Sequence, residues 1–156
     1  MKTPNSLEQV AEFHVTFKHP ILPFPRIPQA ARAALRVELL REELKELQEA
    51  INNNDMIEAA DALCDLQYVL SGAILEFGLG STFKALFDEV HRSNMSKACD
   101  SIHEAELTVA HYFEKDGTVA CYRVDGGKYL VYRVADNKTL KSINYSPANL
   151  GGYLCL

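Results

Sequence analysis

A chain of 156 residues, 47% apolar and 24% charged, is about one domain's worth and long enough to bury a core. Its formal net charge of −5 is uneven, with −8 on residues 1–116 and +3 on residues 117–156. An acidic main body argues against duplex nucleic acid as a partner, because phosphate contacts need clustered cations.

No apolar run approaches the roughly 20 residues that span a bilayer, and "MKTPNSLEQVAEF" lacks an apolar signal segment. A cytoplasmic protein without a membrane partner is therefore expected. Cys64, Cys99, Cys121 and Cys155 are scattered with no C-x-x-C, which reads as reduced cysteine. Cys99 and His103 stand four apart, but no second pair at ligand spacing completes a zinc site.

In chain order, "SLEQVAEFHVTF" predicts a first helix, with Ser6 and Gln9 as a capping box and Val10, Phe13 and Phe17 at helical spacing. "HPILPFPRIP" follows as an extended connector, since Pro20, Pro23, Pro25 and Pro28 disfavour helix. A second helix is expected over 30–51, with Leu35, Leu39, Leu40, Leu44, Leu47 and Ile51 as its apolar stripe. "NNND" is a turn and Asp55 the N-cap of a third helix. That helix runs to about Phe77, with Leu63, Leu66, Leu70, Ile74 and Phe77 inward, and "GLG" ends it. A fourth helix opens at Ser81 or Thr82, and a fifth runs over about 101–113. Beyond "KDG" the period changes. "TVACYRV", "KYLVYRV" and "LKSINY" are expected strands, separated by turns at "DGG" and "ADNK". The fold class is thus mainly α with a small C-terminal antiparallel sheet or hairpin, read as a helical domain over 1–113 and a β appendage over 114–156.

The second and third helices gather acid. If they form an antiparallel hairpin turning near 53–54, residues whose numbers sum to about 107 lie side by side. Glu49 then faces Glu58, Glu46 faces Asp61 and Glu42 faces Asp65, with Glu43 bordering the same surface. Like charges at such spacings cost roughly 0.2–0.5 kcal/mol per pair, and Arg41 and Lys45 are expected to point elsewhere. A solvated acidic face is the plain alternative. Facing carboxylates make sense if they hold a hard divalent cation, Mg²⁺ or Mn²⁺ rather than zinc.

"EELKE" (42–46), then "EAAD" (58–61) and "DLQYVL" (65–70), resembles the MazG-like, all-α nucleoside triphosphate pyrophosphohydrolases, whose pattern is E-E-x-x-E followed by E-x-x-D. "VAEFHVTFKHP", "DALCDLQYVLSGAILEFGL" and "FDEVHRSNMSK" (87–97) are similar to the phosphoribosyl-ATP pyrophosphohydrolase-like branch, so the resemblance covers most of residues 8–97. It implies a helical bundle and Mg²⁺-dependent hydrolysis of a nucleotide to the monophosphate and pyrophosphate. It implies metal ligation by Glu43, Glu46, Asp61 and Asp65, and a water-orienting or basic role for Glu42 or Glu58. Two alignments stay open. One pairs Glu58 with Asp61; the other centres on Asp65 and puts Ala62 at the acidic position.

The resemblance makes Asn94 and Lys97, and less strongly Arg92, phosphate contacts. Tyr68 suits either a base or ribose contact or core packing. A homodimer or homotetramer follows from the family habit. No phosphate-loop, dinucleotide or nucleophile-elbow motif competes. The rival readings are a non-catalytic Mg²⁺-nucleotide sensor and a structural helical adaptor.

Overall fold

The computed structural model describes residues 4–154; Cys155 lies outside them. It is mainly helical with a two-stranded antiparallel hairpin near the C-terminus. The described residues form two compact units, 4–83 with Leu154, and Lys84–Tyr153. The division falls at residue 83.

The first unit holds α1 (Ser6–Phe17), α2 (Ala30–Asn52) and α3 (Met56–Glu76). The range of α1 is the expected one, but its capping is not. Asn5 is the N-cap, its carbonyl accepts from the Gln9 N–H at 3.1 Å, and its side-chain amide donates to Glu8, so Ser6 already lies inside the helix. The proline-rich connector is extended. Its Leu22 and Arg26 N–H groups donate to the carbonyls of Leu75 and Phe77, at 3.0 and 3.1 Å. Carbonyls left over at the end of α3 are thereby satisfied. Gly78 stops that helix at φ 69°, where a Cβ would overlap the Phe24 carbonyl.

Asp55 caps α3 as expected, accepting from the Ile57 and Glu58 N–H groups at 3.0 and 3.1 Å. Asn54 takes the left-handed conformation that closes the turn. What faces inward differs from the expected stripes. Arg36 and Ala50 are the buried residues of α2, while Leu35, Leu44, Ile51, Leu63 and Leu70 are exposed. Val37, Leu44 and Ile51 recur every seven residues, as do Met56, Leu63 and Leu70, and these six are 42–76% exposed. At about 100° per residue, they lie on the side of the hairpin away from the carboxylates.

The interior of this unit also holds charge. Glu76, fully buried, accepts hydrogen bonds from Arg32 and Arg36. Arg36 also reaches His14 Nε2 at 3.3 Å, and His14 Nδ1 lies 2.9 Å from the Pro20 carbonyl. A carbonyl only accepts, so Nδ1 carries the proton and Nε2 faces Arg36 as an acceptor. Burial holds the His14 pKa below its ordinary value, in keeping with that neutral ring. A Cβ on Gly72 would come within 2.7 Å of Arg36 Nη1 and 3.0 Å of His14 Nε2, so glycine there admits the guanidinium.

The second unit holds most of α4 (Phe83–Met95), α5 (Ile102–Asp116), β1 (Ala120–Asp125) and β2 (Lys128–Arg133). Ser101 caps α5 by accepting from the Glu104 N–H at 3.1 Å. Gly126 and Gly127, both at positive φ, make the two-residue turn between the strands. Cys99, Ala105, Val131 and Leu140 form the core, with Tyr112, Tyr122 and Tyr129 packed around it.

"LKSINY" is not a strand. Leu140 donates once to the Val131 carbonyl, but the Ser142 N–H then goes to the Lys97 carbonyl and the Ile143 N–H to Thr108 Oγ1, so the ladder stops. The tail runs on to α4. Arg92 donates to Ser146 Oγ and the Pro147 carbonyl, Ser93 bonds the Tyr145 hydroxyl at 2.8 Å, and Glu89 accepts from the Asn149 N–H at 2.9 Å. These bonds group α4 and α5 with the hairpin.

Burial pushes the Glu76 carboxyl up, but the hydrogen bonds from Arg32 and Arg36 outweigh it and hold the pKa below the ordinary value. A lowered carboxyl stabilises the fold above the ordinary glutamate range, and that contribution is lost as pH falls through the lowered value. Glu76→Gln strands Arg36 as a buried cation and is expected to cost about 3–5 kcal/mol in urea melts. A variant as stable as the parent at pH 7 would show that this network carries no weight.

Candidate active site

The antiparallel pairing of α2 and α3 brings Glu46 and Glu49 together with Glu58 and Asp61 around one groove of about 410 Å³. Buried Ala50 and Ala62 line it between the helices, and being small they let the two backbones approach. The expected facing pairs Glu46/Asp61 and Glu49/Glu58 therefore share this groove. Asn53 and Asp55 of the turn also line it. Sequence reading gave Asp55 only a capping role, and nothing in its spacing marked either residue as a groove wall.

Glu43 is the electrostatic centre of the cluster. It is half-buried, and its Oε2 is buried with no hydrogen-bond partner. Burial raises its pKa, and the charges of Glu46, Asp65, Glu42 and Asp61 raise it further. The ionised form of Glu43 is thus disfavoured.

One expected absence fails: Lys45 does not point away but stands 3.4 Å from Glu49, while Arg41 pairs with Glu38. An exposed i,i+4 pair of this kind is worth at most a few tenths of a kcal/mol, roughly 0.3–0.5, and leaves the rest of the acid uncompensated.

Among the described residues, no three carboxylate, imidazole or thiol groups stand close enough together, as placed, to hold a metal ion. Glu46, Glu49, Glu58 and Asp61 at the groove, and Glu42 and Asp65 on the same hairpin, are all exposed without converging. The donor set nevertheless fits a hard divalent cation. It is all oxygen, strongly anionic, and includes a buried carboxylate oxygen with no partner. Glu43, Glu46, Asp61 and Asp65 are the side chains that would hold the ion.

The other expected site residues lie elsewhere. Tyr68 meets Phe13 edge-on at 5.6 Å and lines a second cleft of the first unit, about 370 Å³, with Phe13, His14, His19 and Arg36. Phe13 and His19 are stacked there, 12° from parallel. Asn94 and Lys97 belong to the second unit, where Lys97 Nζ donates to Asn94 Oδ1 at 2.7 Å. Arg92 is committed within that unit. It pairs with Glu89, pulling the Glu89 carboxyl down to about 2, and holds the tail as described above.

Replacing Glu43 tests the electrostatics without disturbing shape. A raised carboxyl contributes stability below the ordinary glutamate range and loses it as pH rises through the raised value. Metal-free protein is therefore expected to lose stability on that rise, and Glu43→Gln to lose less. Near neutrality the variant should gain about 0.5–1 kcal/mol from the removal of like-charge pairs. Thermal melts in chelator across a pH series measure this; a variant less stable than the parent at neutral pH contradicts it.

Two comparisons with known proteins bear on the site. An uncharacterized protein of Acanthamoeba polyphaga mimivirus is 25% identical to this chain, with 94% of each chain covered. The family model described as phosphoribosyl-ATP pyrophosphohydrolase matches residues 10–94, a stretch that holds all the groove carboxylates, Tyr68, Arg92 and Asn94. With more than half of its length matched, the chain belongs to the phosphoribosyl-ATP pyrophosphohydrolase family.

Proposed function

We propose that the protein hydrolyses the α–β phosphoanhydride of a nucleoside triphosphate, or of a related nucleotide such as phosphoribosyl-ATP, and so serves in cytoplasmic nucleotide-pool house-cleaning. The observation that carries this reading is the acidic face of the α2–α3 hairpin, where Glu46, Glu49, Glu58 and Asp61 line one groove and half-buried Glu43 feels the charges of Glu46, Asp65, Glu42 and Asp61, in a family of pyrophosphohydrolases. Glu43, Glu46, Asp61 and Asp65 would hold a divalent ion, Mg²⁺ or Mn²⁺, which would supply positive charge for the phosphates and lower the pKa of a bound water.

The chain's own groups do the rest. Glu58, on the groove wall, takes a proton from the attacking water as its oxygen bonds to the α-phosphorus. The bond from that phosphorus to the bridging oxygen breaks, and pyrophosphate leaves with the electron pair. Glu42, next to Glu43 on the same helix, orients the water. The aromatic cleft of Phe13, His19 and Tyr68 suits a base, because Tyr68 stands one turn along α3 from Asp65. Asn94 and Lys97, paired side by side, are proposed phosphate donors on the strength of the "HRSNMSK" resemblance. Arg92 keeps little free donor capacity for such a role. The exposed seven-residue repeats of α2 and α3 suit a second copy of the chain, which supports a homodimer or homotetramer.

A screen of natural and modified nucleotides with Mg²⁺, read as pyrophosphate release, tests the reaction. Release that stops in chelator is expected. Glu58→Gln should lower kcat by about 10²–10⁴-fold. Lys97→Ala should raise KM or lower kcat/KM while leaving Mg²⁺ affinity nearly unchanged. Metal-dependent nucleotide binding without any pyrophosphate release would assign a sensing module instead.

A further inference from the structure

The two edges of the hairpin are treated differently. With a two-residue turn, Asp125 and Lys128 exchange both backbone bonds, and alternation along the strands makes Arg123/Leu130 and Cys121/Tyr132 bonded pairs too. Tyr129, Val131 and Arg133 of β2 therefore turn their N–H and C=O groups outward. All three find partners. Tyr129 exchanges bonds with Cys99, Val131 accepts from Leu140, and Arg133 donates to the Lys138 carbonyl, each at 2.9 Å. On β1 the outward residues are Ala120, Tyr122 and Val124. Among the described residues, none supplies a backbone bond to them from that side.

Beside this open edge runs an apolar groove of about 570 Å³, between Val109, Ala110 and Phe113 of α5 and Val119, Ala120 and Tyr122 of the strand and its lead-in. The strand's inner face shows what is missing. Ala120 and Tyr122 pack on the core, whereas Val124, on the same face, is 62% exposed. The edge has no proline, no bulge and no charge among its inward residues, three of the usual guards against pairing.

We propose that β1 pairs antiparallel with β1 of a second copy about a two-fold axis at Tyr122, so that Val124 of each copy enters the groove of the other. Open backbone groups call for an extended strand, and the groove calls for an apolar residue two positions along it. Charge narrows the occupant. Among the described residues, Glu106 is the only charged one lining the groove, so a strand with charged inner positions gains nothing there. The inner face of β1 is itself uncharged and alternately apolar. On the outer face this register sets Arg123 against neutral Cys121 and Asp125 against Val119, so no like charges stand opposite. Outward residues of one strand meet outward residues of the other, as an antiparallel ladder requires. The arrangement is isologous, each copy giving and receiving the same contact.

Cys121 provides the test. In this register it lies opposite position 123 of the other copy, at a non-bonded pair with Cα atoms about 4.5 Å apart, within reach of a disulfide. Full-length Arg123→Cys, oxidised mildly, is expected to give a covalent dimer whose bond peptide mapping assigns to Cys121 and the introduced thiol. Adding Val124→Lys should abolish that dimer and leave the helical circular dichroism unchanged, since Val124 is exposed. Val124→Lys alone should halve the mass seen by sedimentation at concentrations where the parent is assembled. No crosslink through Cys121, a parent monomeric at every concentration, or a mass indifferent to Val124→Lys would each overturn the proposal.

Discussion

The register between α2 and α3 is the constraint on which the first unit depends, and it is set at one short turn. Asn54 reverses the chain in a left-handed conformation, Asp55 fixes the first turn of α3, and buried Ala50 and Ala62 allow close approach. Once that turn is made, every pairing along the hairpin follows from helical geometry. Carboxylates fall on one side and uncovered aliphatic residues on the other. Neither side is comfortable in water by itself: one concentrates like charge and the other leaves apolar area exposed. Both discomforts point outward, the first to a cation and the second to another protein surface.

Much of this was legible because it is local. The span of α1, the Asp55 cap, the close of α3 at Gly78 and the alignment of Glu46 with Asp61 all rest on residues a few positions apart or on helical periodicity. Periodicity says that a stripe is apolar, but not whether core or solvent meets it, so Leu44, Ile51, Leu63 and Leu70 were misplaced. The competing occupant of the core, the Arg36–Glu76 pair, joins residues 40 positions apart. No spacing rule announces a contact of that range. Composition likewise suggested strand for "LKSINY", but the side chains of Thr108 and Glu104 and the Lys97 carbonyl offered its backbone and hydroxyl better partners than a third ladder. Of the candidate site, the acidic face was readable and the groove-lining turn residues were not. Arg92 could not be recognised as a tail anchor before the tail was placed.

The second unit carries chemistry of another kind. Its cations are largely occupied: Lys128 with Asp100, Arg133 with Asp136, Arg123 over the Tyr132 ring and Lys141 over Tyr145. These four cations of the C-terminal segment thus make contacts within their own unit. The family match stops at residue 94, inside α4, whereas the mimivirus relative aligns over nearly all of the chain.

Gly72 has a bearing on how such chains can diverge. The guanidinium of Arg36 and the ring of His14 occupy the volume that any side chain at 72 would need, and Glu76 is tolerable in the interior only while Arg36 is present. Positions 14, 36, 72 and 76 therefore form a coupled set that substitutions must enter together. A lineage that shortens residue 36 frees room for alanine at 72, and must also neutralise residue 76. Among relatives the quartet should be inherited whole or replaced whole by apolar residues, with mixed combinations rare.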